Sequence, residues 1–419
     1  MSSQTTPLRK VLDFLSKIGP GIFAIGYTIG TGSVTTMAVA GSQYGMQLLW
    51  VLFVSCLFSW VMMEAYGRYT LVTGETALFG FRRHLKLGKV MAILIIVGIS
   101  VGQWNSLIGI LGISANSIFE VIGMFFPAAV EYEYGLILLI AIIIIGSMYT
   151  LLWNGTYTLF EKVLLFFVTI MGLSFLLSLF IVLPDPGEIA KGMIPSIPQV
   201  EGGRQLVVAF VGTTMAAATF LSRPLFIQGK GWTKENLKDQ SKDALWASIL
   251  IFLISGSIMA VAMGTLFAEG KTITKVLDMV YILEPIAGKF AISVFFLGTL
   301  GAGLSSIFPI LMITPILVAD YQDGKLDVKS RQFKILTAVV CCIGLTVPIL
   351  GTNPIKAQIL TQVFNVFVLP LVILGMIFLI NNRILMKEYK ADILLNIGMI
   401  LALIFACLIS YNGVIALLS

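Results

Sequence analysis

The chain has 419 residues, of which 58% are apolar and only 11% charged, and its mean hydropathy is +0.98. Soluble domains carry about 25% charged residues, so the composition excludes a water-soluble enzyme, a nucleic-acid-binding protein and a disordered tail. What remains is an all-α polytopic membrane protein, and the net charge of +6 is to be read through its distribution along the chain.

Residues 1–17 are polar and form a cytoplasmic N-terminal segment; they hold no apolar run ending in a cleavage site, so no cleaved signal peptide is expected. A spanning helix needs about 20 apolar residues. Eleven such stretches follow, near 18–44, 46–70, 90–118, 134–153, 159–183, 205–228, 244–268, 287–319, 334–351, 357–381 and 392–418. Residues 18–419 therefore form a single transmembrane unit in contact with the lipid bilayer. Its longest loops, at about 184–204 and 229–243, leave no room for a folded extramembrane domain, and no obligate protein partner is expected.

Placing the N-terminus in the cytoplasm puts 21 of the 27 Lys and Arg residues on the inner side and six outside. The positive-inside rule then predicts an integral plasma (cell inner) membrane protein with its N-terminus cytoplasmic and its C-terminus outside. Cys56, Cys341, Cys342 and Cys407 all lie within apolar runs and offer neither a disulfide framework nor a CxxC metal site. No HExxH is present, nor GxSxG with an intramembrane His partner, so no enzyme is expected.

Most spans are uninterrupted runs of Leu, Ile, Val and Phe. The first and sixth differ. The first runs from Gly19-Pro20-Gly21 through Gly26-Tyr27-Thr28-Ile29-Gly30-Thr31-Gly32-Ser33 to Thr36, and the sixth contains Gly212-Thr213-Thr214-Met215-Ala216-Ala217-Ala218-Thr219. Gly costs about 1 kcal/mol in a helix interior, and hydroxyls can satisfy a backbone break in mid-membrane. Interrupted spans at corresponding places in two halves point to a transporter site. They fit two inverted five-helix repeats, about 18–183 and 205–381, with an extra helix at about 392–418.

Several motifs carry a resemblance to a known family. Leu48-Leu49-Trp50 after Tyr44-Gly45, Pro184-Asp185-Pro186-Gly187-Glu188 with Lys191-Gly192 and Pro195-Ser196, Gly303-Leu304-Ser305-Ser306, and Thr361-Gln362-Val363 with Leu369-Pro370 resemble the NRAMP (SLC11-type) metal-ion transporters. The resemblance runs from about residue 18 to 390. It implies the inverted-repeat fold of amino-acid permeases and sodium symporters, and secondary transport by alternating access.

The metal-binding motifs of that family are missing. Where it has Asp-Pro-Gly-Asn in span one, this sequence has Gly30, Thr31, Gly32 and Ser33. Where it has Met-Pro-His in span six, it has Ala216, Ala217 and Ala218. Acidic positions on span three fall at Gln103 and Ser106, and the one His, His84, lies in a cytoplasmic loop. A carboxylate beside a dication is the main compensation for dehydrating that ion, so transition-metal transport is not the expectation.

Gly30-Thr31-Gly32-Ser33 is similar instead to the Gly-Ser/Thr-Gly turn of amino-acid permeases. A helix restarting near Ser33 would present free N–H groups and the positive end of its dipole to a carboxylate. Thr213, Thr214, Ala216 and Thr219 of span six, Gln103 and Asn105 of span three, and Gln362 and Asn365 of span ten complete the expected substrate site.

Ser305 and Ser306 are candidate ligands for a coupling Na⁺, with at most one of them facing the site because adjacent helical residues diverge by about 100°. No other cofactor is expected. Proton coupling lacks a carrier unless Glu64 or Glu161 reaches the cavity, and Glu64 forms an i,i+4 pair with Arg68 that suits a structural role. The sequence thus favours a transporter of a small carboxylate-bearing solute, such as an amino acid or related organic anion, over a divalent metal-ion (Mn²⁺ or Mg²⁺) transporter.

Overall fold

The computed structural model describes residues 19–154, 157–182, 185–196, 202–273, 284–325, 327–350, 359, 361–363 and 365–418, and all regular structure among them is helical. Span one is two helices, α1 (Gly21–Thr28) and α2 (Thr31–Tyr44), bent by 53° at the Ile29-Gly30 break. Span two is α3 (Leu49–Thr73), and a short α4 (Ala77–His84) follows. Spans three, four and five are α5 (Gly88–Phe125), α6 (Glu133–Asn154) and α7 (Tyr157–Val182).

The loop after span five holds α8 (Pro186–Gly192), and the Asp-Pro-Gly motif explains where it begins. Asp185 is the N-cap and its carboxylate accepts from the Gly187 N–H at 2.9 Å. Pro186 takes the first helical position, where no N–H is needed.

Span six is again two helices, α9 (Gly203–Thr214) and α10 (Ala217–Gly229). Spans seven and eight are α11 (Leu237–Thr265) and α12 (Glu284–Asp323). Span nine is interrupted, which the sequence does not suggest: α13 (Arg331–Gly344), capped by the Ser330 hydroxyl, gives way at Leu345 to α14 (Thr346–Leu350). Span ten ends in α15 (Leu369–Ile380), followed by α16 (Arg383–Met386), and α17 (Ile393–Leu418) is span eleven. Among the described residues nine helices are long and apolar enough to cross a membrane, and ten if the bent pair α1–α2 is one span.

Burial sorts these helices into centre and rim. The most apolar stretch of span six is 94% buried and that of span eight 83%, against 28% for spans four and eleven. The rim helices turn Ile142, Ile143, Ile393, Leu394 and Ile400 outward, an apolar exterior that water would not tolerate and lipid does. The broken spans therefore lie in the protein interior, where unsatisfied backbone can be met by other protein groups.

Close approach of backbones holds the centre together. A Cβ at Gly212 would overlap the carbonyl oxygen of Gln362, so α9 sits directly against the backbone of span ten. Only a residue without a Cβ permits that contact.

Candidate functional site

Both breaks follow from local sequence. Ile29 (φ −94°, ψ 65°) ends α1, and Gly30 is extended (φ −95°, ψ −175°). Val34 is the first residue of α2 to bond back, its N–H donating to Gly30 O at 2.9 Å. The N–H groups of Thr31, Gly32 and Ser33 come before it and have no carbonyl one turn earlier. The helix thus restarts at Thr31, two residues before the Ser33 expected from sequence. In span six, Met215 (φ −96°, ψ 47°) and Ala216 (φ −65°, ψ 115°) leave the helix.

Hydroxyls meet carbonyls freed at the end of α1. Thr213 Oγ1 of α9 donates to Thr28 O at 3.2 Å, and Ser306 Oγ of α12 donates to Gly26 O at 3.0 Å. Ser33 Oγ lies 3.3 Å from Ser255 Oγ of α11.

A buried cavity of about 20 Å³ lies between the breaks. Its walls are Tyr27, Thr28, Gly30, Gly32 and Ser33 of span one, Gln103, Ser106 and Ile110 of α5, Thr213 and Ala216 of span six, Ser306 and Ile310 of α12, and Gln362 and Asn365 of span ten. An amide chain closes one side: Gln103 Nε2 donates to Asn365 Oδ1 (3.1 Å), Asn365 Nδ2 to Gln362 Oε1 (2.9 Å), and Gln362 Nε2 to Ser106 Oγ (3.3 Å). Among the described residues no carboxylate, ammonium, guanidinium or imidazole lines the cavity. Among the described residues no three His, Cys, Asp or Glu side chains gather as a metal cluster.

Of the residues singled out in the sequence, Gly30, Gly32, Ser33, Gln103, Thr213, Ala216, Ser306, Gln362 and Asn365 come together here. Asn105 does not: it is exposed, and its amide donates to Val101 O one turn earlier at 3.0 Å. Thr214 and Thr219 are buried outside the lining, with hydroxyls that have no hydrogen-bond partner among the described residues. Ser305 Oγ donates to Ala302 O (3.0 Å) within its own helix, leaving Ser306 as the one of the pair that lines the cavity. The side chains of Thr31 and Glu161 lie outside the described residues. The sequence reading missed Tyr27 and Thr28, whose signal was their place just before the break, Ser106, noted only as standing where the family has an acid, and Ile110 and Ile310, which carried none.

Ser306 also explains why position 30 bears no side chain. A Cβ there would overlap Ser306 Oγ and come within 2.6 Å of Ser306 Cβ. The serine occupies the space into which a carboxylate at position 30 would have to extend.

Charge is concentrated at the other end of α1. The Gly21 N–H donates to both oxygens of Asp243 (2.9 and 3.2 Å), and Asp243 pairs with Arg223 at 2.7 Å. Arg223 Nε donates to Gln240 Oε1 (3.1 Å), Gln240 Nε2 to Glu64 Oε2 (2.9 Å), and Arg68 pairs with Glu64 (2.8 Å). Arg223 and Asp243 are almost fully buried. Glu64 belongs to this network and does not line the cavity.

Two broken helices, five spans apart in sequence and meeting at a buried polar cavity, define a secondary transporter of the inverted-repeat class. The chain belongs to the Nramp family, whose model, described as natural resistance-associated macrophage protein-like, matches residues 21–416. It is 25% identical over 402 residues to the divalent metal cation transporter MntH of Vibrio campbellii, covering 93% of this chain and 89% of that one. Its fold is similar to a manganese transporter of Eremococcus coleocola (TM-score 0.72, 15% identity, 99% of this chain and 88% of that one). A second similar fold is MHP1, a nucleobase-cation-symport-1 family transporter (TM-score 0.57, 12% identity, 96% of this chain and 90% of that one). These relatives are transporters and not enzymes.

Proposed function

We propose that the chain transports a small, hard inorganic cation, a divalent ion such as Mg²⁺ or Mn²⁺, rather than the carboxylate-bearing solute its span-one turn suggests. One observation carries the reading: the cavity between the breaks holds about 20 Å³, and hydroxyls and amide oxygens of five spans are among its walls. A single water needs about 10–15 Å³ of such space, so the space between the breaks has room for one water or one dehydrated ion and not for an organic solute. Hydroxyls, amide oxygens and helix-end carbonyls are donors suited to hard cations. The relatives named as divalent metal cation and manganese transporters support the same reading.

One observation favours the carboxylate reading: Gly32 and Ser33, whose N–H groups begin α2, line the cavity. In either reading the candidate coupling ion is Na⁺, held by Ser306 and the Gly26 carbonyl, because among the described residues no titratable carboxylate lines the cavity to carry a proton. The plasma membrane and a cytoplasmic N-terminus are proposed from the cation asymmetry.

Thermal stabilisation separates the readings, since a ligand that binds only the native state raises the midpoint by mass action. Purified protein is heated with Mg²⁺, Mn²⁺ or Ca²⁺, and with an amino-acid and carboxylate panel, each with and without Na⁺. The proposal expects a saturable rise with a divalent ion that Gly32→Leu abolishes. A rise with a carboxylate and none with any metal would reverse it.

A further inference from the structure

A second cavity lies far from the transport site in sequence and chemistry. It is a groove of about 770 Å³ between α6 and α13, lined by Tyr149 and Trp153 on one helix and by residues from Lys329 to Ile343 on the other. Tyr149 and Trp153 stand one turn apart, their ring centroids 5.6 Å from each other, and form an aromatic wall. Opposite them Arg331, Ile335, Val339 and Cys342 recur at helical spacing and share one stripe of α13. Trp153, Ile335 and Val339 are each about half exposed, so the groove opens to the surroundings of the bundle.

Its two ends differ in chemistry. Lys329, Arg331 and Lys334 cluster at the start of α13, and the rest of the lining from α13 is apolar or Cys. Among the described residues none of these three cations has a carboxylate within salt-bridge distance. Lys334 Nζ lies 4.2 Å from the centroid of the Trp153 ring, which holds it over the mouth of the groove. From Lys334 to Ile343 the apolar floor runs about 14 Å at 1.5 Å per residue.

We propose that this groove binds an anionic phospholipid. The headgroup phosphate is held by Lys329, Arg331 and Lys334, and an acyl chain lies along Ile335, Val339 and Ile343 against Trp153. Charge complementarity selects the occupant: three cations with no carboxylate partner among the described residues call for an anion, and an apolar trough open to the bilayer calls for that anion to carry a hydrocarbon chain. Basic pockets between transmembrane helices recognise anionic headgroups in this way, and long cationic side chains reach the interface while their stems stay in the apolar layer. Free phosphate would use the cations and leave the trough empty.

The full chain, purified in detergent, is titrated with phosphatidylglycerol, with phosphatidylcholine of the same acyl chains, and with inorganic phosphate, reading the thermal midpoint. The expected result is a saturable rise with phosphatidylglycerol alone. That rise is lost in Lys329→Gln/Arg331→Gln/Lys334→Gln, which removes the anion contacts. It is lost as well in Val339→Trp, which fills the trough and leaves the cations, so the answer stands even where the triple variant fails to fold. A phosphatidylglycerol effect unchanged in Val339→Trp, an equal effect of phosphatidylcholine, an effect of phosphate alone, or no effect of phosphatidylglycerol would each overturn the proposal.

Discussion

Gly30 and Ser306 form a complementary pair, and their geometry decides what the break in span one can hold. A side chain at position 30 meets Ser306 Oγ and Cβ at once, and Ser306 is anchored by its bond to Gly26 O. Overpacking of this kind costs about 1–3 kcal/mol. Gly30→Asp is therefore expected to lower the thermal midpoint, and Gly30→Asp/Ser306→Gly to recover most of the loss, as followed by differential scanning fluorimetry. An undiminished midpoint in the single variant would show that the serine yields freely. With no carboxylate in the cavity among the described residues, affinity for a divalent ion should be weak, on the order of 10⁻⁴–10⁻³ M as in sites of low ligand charge. Titration calorimetry checks this, and micromolar binding would require a charged ligand outside the cavity described here.

The broken spans were legible because Gly, Ser and Thr at the centre of an apolar run contradict a continuous helix. What holds α1 in place was not legible. Arg223 reads in the sequence as one of many cytoplasmic cations, yet it is buried and paired with Asp243, 20 residues later on another helix. Nothing in the spacing of those residues reveals that the Asp243 carboxylate also caps the first turn of α1 through Gly21. The same limit applies to Asn105, since a polar residue in a span can bond its own preceding turn as readily as face a cavity.

Removing one partner of a buried pair leaves the other charge uncompensated and costs about 3–5 kcal/mol. Asp243→Ala should accordingly lower the midpoint far more than Glu188→Ala, whose partner Lys191 is exposed. Equal effects would mean that the Asp243 network does not hold the end of α1.

At the scale of the whole molecule, burial and charge agree. Spans four and eleven carry the lipid-facing surface and span six the least, an order that mean hydropathy gives only in part: span ten is the most apolar, at 2.8, yet 59% buried. The 21-to-6 division of Lys and Arg across the bundle predicts the orientation. A fluorescent reporter that folds only in the cytoplasm should be dark when fused after Ser419 and bright when fused before Met1; the reverse pattern would invert the topology. The family scaffold was readable from loop and helix-start motifs such as Asp185-Pro186-Gly187, which do the same structural work whatever is transported. The cargo was not readable in the same way, because the residues that would name it have been replaced by Gly, Ser, Thr and Ala, and the size of the space they enclose emerges only from the packing of spans one, three, six, eight and ten.

Uptake into proteoliposomes tests the central claim most directly. Vesicles loaded with a divalent-metal indicator are exposed to Mg²⁺, Mn²⁺ and Ca²⁺, and matched vesicles to a radiolabelled amino-acid and carboxylate panel, with and without an inward Na⁺ gradient. Saturable entry of at least one divalent ion, abolished by Gly32→Leu and with no carboxylate entering, is the predicted result. Entry of a carboxylate with none of the three metals transported would contradict it and return the free N–H groups at the start of α2 to the role of an anion site.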